Sequence, residues 1–442
     1  MILNFVILYI YMLILGNLYK QDDHLWVIVL SSYKLDGYKY FKKTIVVDEI
    51  VIYQYKIQIG EKDTHIQIAD ETIKITNVTP ELNNTSVYFV SCDGQFMKQV
   101  NEIIPIYNIE DDDMWKKLYM DIQADTNTHK FVIHLGDQVY MDAAHKELIE
   151  NKTTDNEDTV RRTYYNYYNV NYENKYKKKV LESVHNIMVG DDHEVIDGYG
   201  SIKNNLTEIM IENVKKMYKI FQEDLYGIED HNIKHLVFQD FQMIIPDLRK
   251  YRKLYTDNTT KYPIMGETQM TELENIIKNT QDTIKRSYYV NTIPLVGVNK
   301  LLNNLISTVS GIKTLYIDDY ISSDGYLNER IHIMNELFKI NNDVVVIGGD
   351  YHYAEYYNFI KNSKTIKQIT TSPISSAHPG IFKIKLIDNV SEILLKLLYD
   401  RIIADTFIEK KWIVLDYNYL KVTEQNATLR CCDDKNNKII SM

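Results

Sequence analysis

The stretch Phe131-Val-Ile-His-Leu-Gly-Asp-Gln-Val-Tyr-Met-Asp142 decides how this chain is read. An apolar run stops at Gly136, and a carboxylate follows at once, then a phenol three residues on, then a second carboxylate. Short apolar runs closed by glycine read as buried strands of an α/β sheet. Polar groups just past the carboxyl end of such a strand stand where α/β sheets bind ligands. A single Gly-Asp of this kind is more often an ordinary turn. Here the pattern recurs. Val87-Tyr-Phe-Val90 ends in Ser91-Cys92-Asp93-Gly94, and His185-Asn-Ile-Met-Val-Gly190 runs into Asp191-Asp192-His193-Glu194. Asp343-Val-Val-Val-Ile347, the most apolar run of all, leads to Gly348-Gly349-Asp350-Tyr351-His352.

Outward from these strand ends, the chain divides by texture. Residues 1–86 are β-rich, with short β-branched runs at Leu25–Leu30, Lys43–Val47, Ile50–Tyr55, His65–Ile68 and Ile73–Ile75. Their spacing, with turn residues between them, predicts a small Ig-like β-sandwich domain. Residues 87–442 alternate strands with helix patterns, which predicts an α/β domain with its polar motifs gathered at one sheet edge. Met210, Val214, Met217, Phe221 and Leu225 keep the helical period, so Thr207–Tyr226 reads as a helix ended by Gly227. Glu267–Ile277 and Leu327–Phe338 are further helix candidates, and Val237–Ile245 reads as one strand. The tyrosine-rich segment from about 150 to 180 reads as polar chain at the rim of a pocket.

At 442 residues the chain can bury a large core. A formal charge of −11 argues against general affinity for nucleic acid or anionic membranes. It still permits a phosphate-bearing substrate where bound metal supplies positive charge. Three cysteines cannot build a disulfide framework, which favours a reducing, intracellular setting. The uncharged apolar start, residues 1–19, has two readings: an N-terminal strand pair, which is preferred, or a signal or anchor. With 36 tyrosines in the chain, an isolated tyrosine carries little weight.

The four strand ends together offer Cys92; Asp137 and Tyr140; Asp191, Asp192 and His193; and Asp350 with His352. A thiolate, a phenolate, several carboxylates and two imidazoles at one rim are most economically explained by a pair of metal ions, which hydrolytic sites hold about 3.5–4 Å apart across a bridging carboxylate. Asp137, central in the set, is the expected bridge. Ligand softness places Cys92, Tyr140 and His352 with Asp137 on a transition metal, ferric iron first. Asp192 and Asp350 then complete a harder oxygen site suited to Ca²⁺, Mg²⁺ or Mn²⁺. His193 and Asp191 are the catalytic candidates, with His193 near the bound phosphate to protonate a leaving alkoxide or stabilise phosphoryl charge.

The motifs Ser91-Cys92, Gly136-Asp-Gln-Val-Tyr140 with Asp142, Asp191-Asp-His-Glu194 and Gly349-Asp-Tyr-His352 resemble the PhoD-like (alkaline phosphatase D) branch of the calcineurin-like metallophosphoesterases. Arg162 with the tyrosines after it, Asp247-Leu-Arg249 with Arg252, Gly266-Glu-Thr-Gln269 and Asp324-Gly-Tyr326 with Arg330 echo further family elements in order. The resemblance implies a four-layer α/β/β/α metallophosphoesterase sandwich and hydrolysis of phosphomonoesters or phosphodiesters. It also implies Fe³⁺ held by Cys92, Asp137, Tyr140 and His352, with Ca²⁺ held by Asp137, Asp192 and Asp350. A hydroxide on the metal pair would attack phosphorus in line. Two departures stand out: Gly190 replaces the aromatic residue that usually precedes Asp-Asp-His-Glu, and the twin-arginine leader of exported members is missing.

Two rival readings remain at this level. A catalytically inactive scaffold of the same fold would be expected to have lost ligands, and every position here is filled. A purple-type acid phosphatase would need further histidines in mid-chain, where His231 and His235 are the evident candidates.

Overall fold

The computed structural model describes residues 13–21, 24–60, 62–68, 71–94, 96–99, 102–105, 114–227, 232–254, 260–296, 324–375, 401–403, 406–414 and 416–442. At its centre lies the strand His129–Leu135, in which every residue but Lys130 is buried. Burial on both faces explains why its sequence is a continuous apolar run and not an alternation. Thr85–Val90 and His185–Val189 flank it in parallel. Asn418–Val422 pairs antiparallel with Thr85–Val90, and Asn426–Cys431 and Lys438–Ser441 complete a six-stranded sheet. The C-terminal strands thus close the sheet that begins with the first motif.

A second sheet has eight strands. Phe241–Pro246, Arg286–Val290, Asp343–Gly348 and Lys364–Thr370 run parallel at its middle. Ile233–Val237 borders one side, with Ala354–Lys361, Thr406–Val414 and Arg401–Ile403 on the other, all antiparallel. The two sheets share one buried cluster, in which Phe89, Ile133 and Val189 from the first join Met243, Tyr288 and Val345 from the second. Residues of opposite parity point outward. Tyr88, Val90 and Val132 pack with Trp115, Leu118 and Val180 of the helices Met114–Ala124 and Lys175–Ser183. Ile244, Tyr289 and Val346 pack with Met270, Leu273, Ile333 and Leu337 of the helices Gly266–Lys278 and Asp324–Lys339. The result is the four-layer α/β/β/α arrangement expected from the motifs.

The N-terminal β domain is a four-stranded antiparallel sheet, ordered Leu13–Gln21, His24–Ser31, Ile50–Ile59, Tyr40–Val47, with a hairpin of Thr64–Ile68 and Glu71–Ile75 after it. Its first strand lies against His185–Val189: Asn186 Nδ2 donates to Leu15 O at 3.1 Å, and His185 Nδ1 sits 3.2 Å from Gly16 O. From Leu13 onward the apolar start is strand; residues 1–12 lie outside the described residues.

Two sequence expectations need correction. Val237–Ile245 is not one strand but the turn and second arm of a hairpin, Ile233–Val237 with Phe241–Pro246. Asp240 sits in that turn, where its carboxylate accepts the Leu82 N–H at 2.9 Å and pairs with Lys285, fixing the reversal. The tyrosine-rich segment is not simply polar chain either. It forms the helices Glu157–Tyr172 and Lys175–Ser183, each capped by an asparagine side chain, Asn156 and Asn174. Tyr164, Tyr168 and Tyr172 recur every fourth residue and are all buried, so the tyrosines follow a helical stripe that a polar reading hides. The amphipathic helix runs Glu208–Phe221 under a Thr207 cap; a tighter turn, Glu223–Leu225, precedes Gly227.

Candidate metal centre

Each proposed ligand lies just beyond a parallel strand, so the sheet order alone brings them to one rim. The local backbone is unusual. Cys92, Asp137, Asp350 and His352 adopt positive φ of 57°, 57°, 66° and 55°. Side-chain-bearing residues enter this region at a cost of about 1–2 kcal/mol, and such conformations cluster at functional sites. Glycines make the close approach possible. A Cβ on Gly136 would lie 2.5 Å from the Asp191 Cβ, and one on Gly349 would lie 2.6 Å from Ser91 Oγ.

Glu194 fastens two of the loops together. Its buried carboxylate accepts the N–H of Asp137 at 3.0 Å, of Gln138 at 2.6 Å and of Asp191 at 2.7 Å, and Gln222 Nε2 at 3.2 Å. The loop of Cys92 is tied in from the other side, where the Asp93 N–H donates to Asp137 O at 2.8 Å. Behind it, the wholly buried Lys177 places Nζ 2.5 Å from Asp93 Oδ2 and lies over the rings of Trp115 and Tyr172.

Side chains of different strand ends then meet. Cys92 Sγ is 3.6 Å from Asp137 Oδ2, and Tyr140 OH is 3.4 Å from that same oxygen and 3.2 Å from His352 Nε2. Ligand-capable atoms of Cys92, Asp137 and His352 lie within 4.8 Å of one another, and so do those of Asp137, Asp191, Asp192 and Asp350. Asp137 belongs to both groups. Its second oxygen, Oδ1, is buried with no hydrogen-bond partner.

The electrostatics of the cluster call for positive charge. Burial pushes the Asp137 carboxyl well above the usual range; His193 counters this, while Asp192, Asp191 and Glu194 add to it. Asp192 is also penalised by burial, yet Arg249 and His193 hold it at about 2. Arg249 donates through Nε to Asp191 Oδ1 at 2.6 Å, and its Nη2 lies 3.3 Å from Asp192 Oδ1. Thr292 Oγ1 donates to the same Asp191 oxygen at 2.9 Å. One guanidinium and one imidazole cannot neutralise the carboxylates of Asp137, Asp191, Asp192 and Asp350, so the donor set fits bound metal.

His193 brings a ring nitrogen within 4.8 Å of ligand oxygens of Asp137 and Asp192, and its ring lies 4.3 Å from that of Tyr140. Its Nδ1 is 2.6 Å from Asp142 Oδ2, while Asp142 Oδ1 accepts the Asp197 N–H. Burial disfavours the imidazolium, but Asp192, Asp137 and Asp142 outweigh it and raise the His193 pKa well above the ordinary value.

All eight site residues singled out in the sequence are therefore brought together. The supporting groups were less visible: Arg249 stood out only as part of a motif echo, and Glu194 only as the end of another. Thr292 and Lys177 carried no signal at all, because their roles depend on strands distant in the chain. His235 is on the edge strand Ile233–Val237, where Nε2 meets Gln242 Oε1 at 2.9 Å; it is not a member of the cluster. His231 lies outside the described residues.

The profile of the PhoD-like phosphatases matches residues 107–396, about two thirds of the chain. This chain belongs to that family. It is accordingly a metal-dependent phosphoester hydrolase, and the matched span holds every proposed site residue except Cys92. A solved structure described as PhoD aligns over 97% of this chain and 91% of its own, at 12% identity and a TM-score of 0.59. Purple acid phosphatase PPD1 from yellow lupin seeds aligns over 98% and 74%, at 11% identity and a TM-score of 0.54. At such identities these two speak for the fold. No curated protein matches the chain. In this PhoD-like phosphatase the missing aromatic residue at Gly190 has a structural substitute. The Tyr218 ring occupies that space, 2.5 Å from where a Cβ would stand, and its hydroxyl accepts the Gly190 N–H at 3.1 Å.

Proposed function

We propose that this phosphatase cleaves phosphoesters at a centre of two metal ions that share Asp137. Cys92, Asp137, Tyr140 and His352 would hold one ion, of ferric iron type, because thiolate and phenolate together suit a highly charged transition metal. Asp137, Asp192 and Asp350 would hold the other, of calcium, magnesium or manganese type. The supporting observation is Asp137 itself: one oxygen faces Cys92 and Tyr140, and the other is buried without a hydrogen-bond partner. When bound, the ions supply Lewis acidity and positive charge at the phosphoryl oxygens.

The chain's own residues divide the remaining work. His193, paired with Asp142, is placed to give a proton to the leaving alkoxide. Asp142 orients that ring through Nδ1, which leaves Nε2 for the substrate. Asp191, expected among the catalytic residues, is assigned a positioning role: its Oδ1 anchors Arg249, which in turn keeps Asp192 ionised. The test is elemental analysis of natively purified protein together with hydrolysis of bis(p-nitrophenyl) phosphate and p-nitrophenyl phosphate. Two metals per chain, with turnover lost on chelation and restored by metal, is the expected result. Metal-free protein, or turnover indifferent to chelation, would overturn the two-metal reading.

A further inference from the structure

The sulfur of Cys92 is wholly buried, and two hydroxyls close on it from different parts of the chain. Ser372 Oγ donates to Sγ at 3.0 Å, and Ser91 Oγ lies 3.1 Å from it. Each hydroxyl already accepts a backbone N–H from the loop that carries Asp350 and His352. Asp350 N donates to Ser91 Oγ at 3.1 Å, and His352 N donates to Ser372 Oγ at 3.2 Å. A hydroxyl that has accepted an N–H in this way is left with its own hydrogen to give. For Ser372 the sulfur is the acceptor; for Ser91 the alternative, Leu135 O, is farther away at 3.5 Å.

Both hydroxyls are held in place. Asn418, fully buried, accepts the Ser372 N–H through Oδ1 at 3.1 Å and donates from Nδ2 to Ser372 O at 2.7 Å. Ser91 O accepts the Ile374 N–H at 2.9 Å, so the two serine segments are also tied to each other. Gly349 keeps the space that Ser91 Oγ occupies. One O–H donor from Ser372, with Ser91 Oγ able to turn its hydrogen to the same sulfur, suits a thiolate acceptor, and hydrogen bonds to an ionised acceptor are the strong ones. Hydrogen bonds to metal-bound thiolates are a main way in which proteins tune a metal's electronic properties.

We propose that Ser91 and Ser372 are positioning residues that tune the metal–thiolate bond at Cys92 and lock it to the Asp350–His352 loop. The inference rests on Cys92 being a metal ligand, as in the reading above. The experiment uses the full chain stripped of metal and loaded with Co²⁺, whose thiolate charge-transfer absorption in the near ultraviolet reports the sulfur directly. Removing a donor raises the energy of the sulfur electrons, so Ser372→Ala and Ser91→Ala should each move that band to longer wavelength. Thr371→Val is the control. It removes a bond to Asn418 at 2.8 Å from the same loop without removing a donor to sulfur, and should leave the band in place. A band unmoved by both serine variants overturns the proposal while sparing the metal assignment, and so does an equal movement in Thr371→Val. Absence of the band from the unmodified protein overturns the ligand role of Cys92 and this inference with it. Ser91→Ala alone carries the test if Ser372→Ala fails to fold, because the two donors act on the sulfur separately.

Discussion

At the scale of single residues, Asp137 and His193 separate metal holding from proton transfer. Asp137 is the carboxylate common to both donor groups, so Asp137→Asn should remove metal and turnover together, as read by elemental analysis beside a phosphodiester assay. Full metal content in that variant would contradict its bridging role. His193 touches the cluster from the side and is oriented by Asp142, so His193→Ala should retain metal and lose about 10²–10⁴ in turnover. Wild-type turnover in His193→Ala would remove it from the mechanism. These residues were legible because each follows an apolar run, and an apolar run at a strand end is a local signal. Asp142 was not legible as the partner of His193: the two are 51 positions apart and meet only through the fold.

At the scale of elements, the centre depends on how its loops are joined. Glu194 takes N–H groups from both the Gly136–Gln138 turn and the Asp191 turn, using both carboxylate oxygens. In Glu194→Gln one oxygen becomes an N–H donor facing other donors. Urea unfolding should show a loss of about 2–3 kcal/mol, with weaker metal retention. Unchanged stability would mean that the loops hold themselves. The same dependence on neighbours explains which elements were misread. The hairpin Ile233–Pro246 hides its reversal in Gln239 and Asp240, where the apolar pattern has a gap of only a few residues. The helices Glu157–Tyr172 and Lys175–Ser183 are rich in tyrosine, asparagine and lysine, and only packing shows which of those faces is inside.

For the whole molecule, three histidines within or beside the central sheet set its acid limit. Burial holds His129 at about 4, His134 at about 3 and His185 at about 4. Their unfolded value is about 6.5. The unfolded chain therefore binds more protons once the pH falls below that value. The stability they contribute is fully present above about pH 6.5 and is lost as the pH drops toward 4 and 3. Each tenfold change in proton affinity is worth about 1.4 kcal/mol, so urea midpoints should fall as the pH drops from about 6.5 to about 4. Replacing His134, which is paired with Asn186, by glutamine should flatten that fall. An unaltered pH dependence in that variant would place the acid sensitivity elsewhere.

The sequence by itself determined the α/β class, the strands that carry the motifs and the eight residues gathered at their ends, because strand periodicity and strand-end chemistry are properties of short, contiguous segments. Tertiary structure alone decided that the C-terminal strands would join the sheet of Thr85–Val90, that Tyr218 would stand in for an aromatic neighbour at Gly190, and that Ser372 would reach Cys92 across 280 positions. Those outcomes depend on sheet order and on which buried polar groups must find partners. Both are settled by packing between segments, which no local pattern encodes.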